Sequence, residues 1–181
     1  GQDRQLPGFV ERLLEEAGVI LQDVDRIAVV TGPGSFTGIR IGVAYARGLA
    51  LVTGAPCIGV TSLEAAIPTG MEGNTLGALQ AQKRPPDQTW WVQGLEGDEG
   101  ISTPVEVGLD ALKTMLEGFK VPIFMDGAEA LGSLAEALDI RPMRPSAITA
   151  ALKAPSFEAS NHSPAPVYAR EPDATLPGQK P

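Results

Sequence analysis

One glycine-rich segment offers backbone groups, rather than side chains, for chemistry. Residues 31–42 read Thr-Gly-Pro-Gly-Ser-Phe-Thr-Gly-Ile-Arg-Ile-Gly, and they follow the apolar run Ile27-Ala28-Val29-Val30. This order predicts a turn between a buried strand and the amino end of a helix. Free N–H groups and the helix dipole favour an anion at such a place. The candidate contacts to an anion or nucleotide are Gly32, Gly34, Ser35, Thr37 and Gly38.

The spacing of this turn does not match the common phosphate-binding loops. A Walker A loop needs Lys followed by Ser or Thr after its last glycine, whereas Ile39 and Arg40 follow Gly38. A dinucleotide fingerprint needs an acidic residue about 20 positions further on, where this chain has apolar residues. The alternative is structural: the glycines allow unusual backbone angles, and Ser35 or Thr37 caps the helix. We favour the structural interpretation, with anion binding as the second hypothesis.

Composition and charge restrict the partners. The 181 residues are 43% hydrophobic and carry a formal net charge of −8, which suits one or two small globular domains. Independent binding of nucleic acid is disfavoured, because phosphates are contacted by Lys and Arg surfaces. With a single cysteine, Cys57, and no leader or membrane span in the sequence, we expect a cytoplasmic protein that does not bind membranes.

Side chains suited to catalysis are few. His162 and Cys57 are each the only residue of their type, and neither an HExxH nor a GxSxG motif occurs. A lone thiol and one distant histidine make a poor nucleophile and base. We therefore expect no metal site, no catalytic residue and no enzymatic activity from this chain alone.

The residues around the turn resemble the bacterial TsaB (YeaZ) family. The matching segments are residues 32–42, 46–50 and 58–63, and residues 166–170 are similar to a motif near the family's carboxyl end. The resemblance implies an α/β protein with the two-lobed actin-like ATPase (ribonuclease H-like) fold. Proteins of this family open with strands that carry an Asp. The resemblance implies that these strands are missing, so that the first lobe is incomplete at its amino terminus.

The resemblance also implies a function. The family is a non-catalytic subunit of the machinery that makes threonylcarbamoyladenosine in tRNA, where it binds and activates the catalytic paralogue TsaD. Further implied partners are a TsaE-like ATPase and a second copy of the chain, with tRNA contacted only indirectly. No cofactor is expected in the chain itself, although ATP or ADP at the complex interface is a secondary hypothesis. The alternatives are a nucleotide-binding actin-like ATPase or kinase-like enzyme and, less favoured, a glycoprotease-like peptidase.

Two helices carry the residues expected at the partner interface. On the second helix, Gly38, Gly42, Ala46 and Ala50 recur every four residues and form a track that another helix could approach closely. In the family, the first two helices form a bundle across a subunit boundary. The alternative is that these residues face only the chain's own core. The candidate interface residues are Leu6, Phe9, Val10, Leu13, Leu14, Ile39, Arg40, Gly42, Val43, Ala46, Arg47 and Ala50.

Turn-forming residues divide the chain. We predict a first lobe over residues 1–67, a linker over 68–74, a second α/β lobe over 75–153 and a proline-rich tail over 154–181. Within the second lobe, apolar runs predict a hairpin of two strands, and residues 128–138 predict a helix. Trp90 and Trp91 lie on the second strand of that hairpin. Stacking on a base is one interpretation, but we favour packing between strands.

Overall fold

In a computed structural model, residues 2–167 are described, and they form two β-sheets with helices packed against them. The small sheet comes from the first part of the chain, and the large sheet comes from the middle part. The elements are α1 (Gln2–Ala17), β1 (Ile27–Gly32), α2 (Phe36–Thr53), β2 (Cys57–Thr61), β3 (Asn74–Gln82), β4 (Thr89–Glu96), β5 (Glu99–Gly100), β6 (Val105–Gly108), α3 (Leu109–Leu116), β7 (Ile123–Met125), β8 (Ile140–Pro142) and α4 (Ala147–Lys153).

The small sheet pairs β1 and β2 in parallel, with Ile27 opposite Cys57. Side chains on β1 alternate between two helical layers, because successive residues of a strand face opposite ways. Val29 packs with Val43 of α2 on one face, and Val30 packs with the cluster around Phe157 on the other. The predicted order of strand, turn, helix and parallel strand is confirmed.

The large sheet has the strand order β5-β4-β3-β7-β8, and β6 pairs with β4. The predicted hairpin is confirmed, since β3 and β4 pair antiparallel. Trp90 on β4 is fully buried, and its indole N–H donates to the carbonyl oxygen of Asp126 at 2.9 Å. Trp90 is thus a packing residue that no base can reach.

One predicted helix has a different form. Ala128–Ala137 is a 3-10 segment rather than an α-helix, and it is broken at Gly132, where φ is 61° and ψ is −135°. Glycine adopts such angles without a steric penalty, so the break falls where a side chain would resist it. Among residues 2–167, no helix combines the length and the apolar content needed to cross a membrane.

The last described residues return to the small sheet. Helix α4 packs against β1, and Phe157 just beyond it is buried. The Gly59 N–H donates to the carbonyl oxygen of His162, and the Val167 N–H donates to that of Thr31, both at 2.8 Å. The predicted boundaries between lobes, linker and tail stay predictions. Residues 168–170 of the tail motif lie outside the described part of the chain.

Candidate functional site

The glycine-rich turn is closed tightly against its surroundings. Gly32 has a φ of 104°, and a Cβ there would lie 2.8 Å from Cδ1 of Ile39 and 3.0 Å from the carbonyl oxygen of Val167. The Gly32 carbonyl oxygen accepts from the Ser62 N–H at 2.7 Å, which ties the turn to the residue after β2. Only glycine meets both the angle and the space.

The cap of helix α2 uses groups that an anion would need. Oγ of Ser35 accepts a hydrogen bond from the Gly38 N–H at 3.4 Å, so Ser35 is the cap. The Ile39 N–H donates to the Ser35 carbonyl oxygen at 2.9 Å. Thr37 is exposed and follows the cap residue by two positions. These bonds give the turn a structural role, which is the interpretation that the spacing favours.

A groove of about 580 Å³ runs from this turn along α2. Its floor is the open edge of β1, since among residues 2–167 the strand that pairs with β1 is β2. Helix α1 contributes Leu6 and Val10 to one wall, and Gly34, Gly38 and Gly42 line the side of the turn and α2. The groove is therefore lined both by residues of the glycine-rich turn and by some of the predicted interface residues.

Some predicted interface residues serve the chain's own core. Val43 and Ala46 are only 3% and 6% exposed, and they pack with Val29 of β1. Ile39 is partly buried against the same cluster. Val43, Ala46 and Ile39 therefore pack in the chain's own core, because the face of α2 that they share is turned toward the small sheet.

Other predicted interface residues are accessible. On α1, Phe9 is 49% exposed and Leu13 is 64% exposed, whereas Leu6, Val10 and Leu14 are partly buried. Phe9 and Leu13 lie one helical turn apart, so their exposed apolar side chains are neighbours on the surface of α1.

On α2, the accessible candidates are two small residues and two arginines. Gly42 and Ala50 are partly buried, and Arg47 is exposed. The guanidinium of Arg40 lies over the ring of Phe36, 3.8 Å from its centroid. We name the surface formed by Phe9, Leu13, Gly42, Arg47 and Ala50 the helical surface.

A polar cluster between the sheets was not expected from the sequence. The Thr61 N–H donates to Oε2 of Glu64 at 2.7 Å, and the Glu64 N–H donates to Oγ1 of Thr61 at 3.0 Å. This reciprocal pair is the capping-box arrangement, and the spacing Thr-x-x-Glu was the signal that could have revealed it.

The same cluster holds a buried cation. The side chain of Lys153 is fully buried, and its Nζ lies 3.4 Å from Oδ1 of Asp98. Burial lowers the pKa of the Lys153 ammonium, and the negative charges of Asp98 and Glu64 partly oppose that shift. No periodicity in the sequence predicts such a pairing, because its members lie on distant segments.

The described residues give no support for metal or thiol chemistry. Residues 2–167 contain no group of three or more His, Cys, Asp or Glu side chains that could hold a metal ion. Burial raises the pKa of the Cys57 thiol, and the positive charge of Arg47 offsets only part of this effect. A raised pKa disfavours the reactive thiolate. Cys57 packs as an apolar residue beside β1.

Comparison with known proteins points to one group of relatives. The family model for TsaD, tRNA N6-adenosine threonylcarbamoyltransferase, matches residues 3–80. The chain is 35% identical over 102 residues to the Escherichia coli tRNA threonylcarbamoyladenosine biosynthesis protein TsaB, a match that covers 54% of this chain and 42% of TsaB. It is 56% identical over 54 residues to the Cereibacter sphaeroides tRNA N6-adenosine threonylcarbamoyltransferase, covering 30% of this chain and 15% of that protein. The chain thus spans less than half the length of these curated relatives.

Solved structures share the fold over most of the chain. A Pseudomonas aeruginosa protein described as similar to the peptidase YeaZ aligns with a TM-score of 0.59 and 26% identity, covering 92% of this chain and 83% of that one. YeaZ from Pseudomonas aeruginosa aligns with a TM-score of 0.60 and 23% identity, covering 90% and 83%. The predicted α/β fold of the actin-like, ribonuclease H-like type is confirmed. In sequence and in fold, the chain is TsaB/YeaZ-like.

Proposed function

We propose that this chain acts as a non-catalytic subunit in the synthesis of threonylcarbamoyladenosine in tRNA, by binding a TsaD-like catalytic paralogue through the helical surface. The observation that carries the proposal is the similarity to E. coli TsaB, whose name states its part in this biosynthesis. A TsaE-like ATPase and a second copy of the chain are further proposed partners. Because tRNA is the substrate, the cytoplasm is the proposed location.

The similarity to the transferase does not argue for catalysis by this chain. The match to the Cereibacter sphaeroides transferase covers 54 residues and the TsaD family model matches residues 3–80, whereas the match to TsaB extends over 102 residues. The resemblance implies that the catalytic paralogue holds a metal through histidines, whereas the sequence given contains one histidine, His162. In the structure, the His162 ring stacks on Phe157 with 4.0 Å between centroids, which is a packing role.

The chemistry of the helical surface suits a protein partner. Phe9 and Leu13 are exposed without an apolar neighbour to cover them fully, and Gly42 leaves room for close approach, since a Cβ there would meet no atom within 4 Å. Apolar anchors beside a small-residue track are typical of helix packing across an interface. A formal net charge of −8 supports the proposal that a partner, rather than this chain, contacts tRNA directly.

Reconstitution tests this function. The chain is mixed with a bacterial TsaD and passed through size-exclusion chromatography with light scattering, and the complex is assayed for threonylcarbamoyl transfer to tRNA when the other pathway proteins are present. We expect a complex, and we expect transfer only when both proteins are present. Transfer by this chain without TsaD would refute the non-catalytic role. Separate elution of this chain and TsaD at micromolar concentrations would refute the proposed binding between them.

The alternative of a nucleotide-binding enzyme makes a different prediction. The glycine-rich turn has its Gly38 N–H bonded to Ser35, and the groove beside it is lined mainly by apolar residues. Phosphate binding there would lose the cap of α2 and bury charge in an apolar setting. We expect isothermal titration with millimolar ATP and Mg²⁺ to show no binding heat. A saturable signal that Gly34→Val abolishes would favour the enzyme instead.

A further inference from the structure

The two sheets meet at a junction with an apolar side and a polar side. The apolar side is a cluster contributed by both parts of the chain, in which side chains after β2 pack with side chains of the large sheet. Contacts of this kind are non-directional. The cluster consists of Leu63, Ala66, Ile67, Leu95, Phe124 and Met143.

The polar side is organised by the carboxylate of Glu64, which is only 4% exposed. Its Oε2 accepts from the Thr61 N–H at 2.7 Å, within the first part of the chain. Its Oε1 accepts from the Gly100 N–H at 2.8 Å, on β5 of the large sheet. One buried carboxylate therefore bonds backbone groups of both sheets.

Gln93 makes a second link beside the first. Its Oε1 accepts from Oγ1 of Thr61 at 2.8 Å, and its Nε2 donates to the carbonyl oxygen of Ser102 at 2.8 Å. Gln93 lies on β4 and is 3% exposed, so this link also joins the large sheet to the end of β2. Hydrogen bonds fix distance and direction, and bonds to a charged group are the stronger kind.

A buried cation supports the same junction. Lys153 at the end of α4 pairs with Asp98, which precedes β5, and both carboxylate oxygens of Asp98 accept from the Gly70 N–H, at 3.1 and 3.3 Å. Asp98 thus connects α4, the segment between the sheets and the β4–β5 turn. The positive charge of Lys153 also lies close enough to Glu64 to interact with its carboxylate.

A polar cleft of about 400 Å³ opens next to these bonds. Thr31 and Gly59 line it from the small sheet, Glu99 and Gly100 line it from the large sheet, and His162 lines it from the returning segment. The bonds of Glu64 and Gln93 cross between its two walls.

We propose that the hydrogen bonds of Glu64 and Gln93, here called the latch, hold the two sheets together across this cleft. When these bonds break, the two sheets rotate relative to each other about the apolar cluster. The latch is a feature of the fold that lies apart from the helical surface, so it does not depend on the proposed function. The hydrogen bonds of the latch require glycine at position 100, because a Cβ there would lie 2.0 Å from Nε2 of Gln93 and 3.0 Å from Oε1 of Glu64.

Amide hydrogen exchange measured by NMR tests the latch, with one substitution made on each side of the cleft. Glu64→Gln replaces one acceptor oxygen by a donor, and Gly100→Ala forces Gln93 and Glu64 aside. In either variant we expect at least one of the amides of Thr61 and residue 100 to exchange about tenfold faster or more, because one charge-assisted bond is lost. The Leu76 and Ile123 amides, which bond to carbonyl oxygens of Pro122 and Asp139 beside the large sheet, are expected to keep their rates.

Two control variants match these changes. Glu99→Gln makes the same substitution at an exposed neighbour on β5, and Gly48→Ala adds a Cβ that meets no atom within 4 Å. Both are expected to leave all of these exchange rates unchanged. Equal acceleration of every amide in the Glu64 and Gly100 variants would show a general loss of stability and overturn the proposal, and so would no acceleration.

A distance measurement tests the rotation itself. With Cys57 replaced by serine, spin labels at Leu51 on α2 and Thr114 on α3, both exposed, report the separation of the two sheets by double electron–electron resonance. We expect Glu64→Gln and Gly100→Ala to broaden the distance distribution and to shift it, and the controls to reproduce the parent distribution. Identical distributions in all five proteins would overturn the proposal.

Discussion

Gly42→Leu is expected to weaken association with a TsaD-like partner by about 10- to 100-fold, which corresponds to about 1–3 kcal/mol for a side chain forced into a close-packed contact. A Cβ at Gly42 meets no atom within 4 Å inside this chain, so the first atom of the new side chain is accommodated, and circular dichroism of the variant checks that the fold is kept. The dissociation constants of variant and parent are compared by surface plasmon resonance, with TsaD immobilised.

The matched control is Gly48→Leu on the same helix. A Cβ at Gly48 also meets no atom within 4 Å, but Gly48 is exposed and lies outside the groove. Both variants should gain roughly 0.5–1 kcal/mol of helix propensity, so neither should unfold. Equal affinity for Gly42→Leu and the parent protein would exclude Gly42 from the interface. If both variants weakened binding to TsaD equally, the contact would not be specific to the side of α2 that lines the groove.

Trp90→Ala is expected to lower the free energy of unfolding by about 3–5 kcal/mol, the usual cost of removing a buried aromatic ring. Trp90 is fully buried among Leu112, Leu116 and Ile123, and the substitution also leaves the Asp126 carbonyl oxygen without its indole donor. Urea unfolding followed by circular dichroism measures the loss.

The neighbouring tryptophan supplies the comparison. Trp91 points to the opposite face of β4, is partly buried, and has an indole N–H that meets no hydrogen-bond partner in the described part of the chain. Trp91→Ala is therefore expected to cost less than Trp90→Ala. The reverse order would contradict the assignment of Trp90 as the main packing residue of the large sheet.

The parts of the fold that the sequence predicts well are those specified within a few residues. The apolar run at Ile27, the glycine-rich turn and the proline-free segment after it identify β1 and α2 without reference to the rest of the chain. The short strands were not predicted. Glu99–Gly100 and Ile140–Pro142 contain too few residues to show an alternating pattern, and they become strands only by pairing with longer neighbours.

The residues of the candidate site show the same difference between features specified locally and features that depend on distant segments. Spacing by four identified a small-residue track on α2, but it could not indicate that the face with Val43 and Ala46 would turn toward β1. That outcome depends on how the helix packs, as does the meeting of Lys153 with Asp98, which are 55 positions apart. The bonds between Thr61 and Glu64 are local in sequence, whereas the bond from Gly100 to the same carboxylate requires the large sheet to be in place.

Because α4 returns to β1, we expect the two sheets to be completed at different times during synthesis. The strands of the large sheet come from one continuous stretch, residues 74–142, whereas the small sheet draws one of its covering layers from α4 and Phe157. Contacts between distant segments form late, because a long loop must close first. During synthesis the large sheet has all its strands while β1 still lacks the layer that α4 supplies. We therefore expect nascent chains halted before Ala147 to expose the face of the β1–β2 pair that α4 and Phe157 cover.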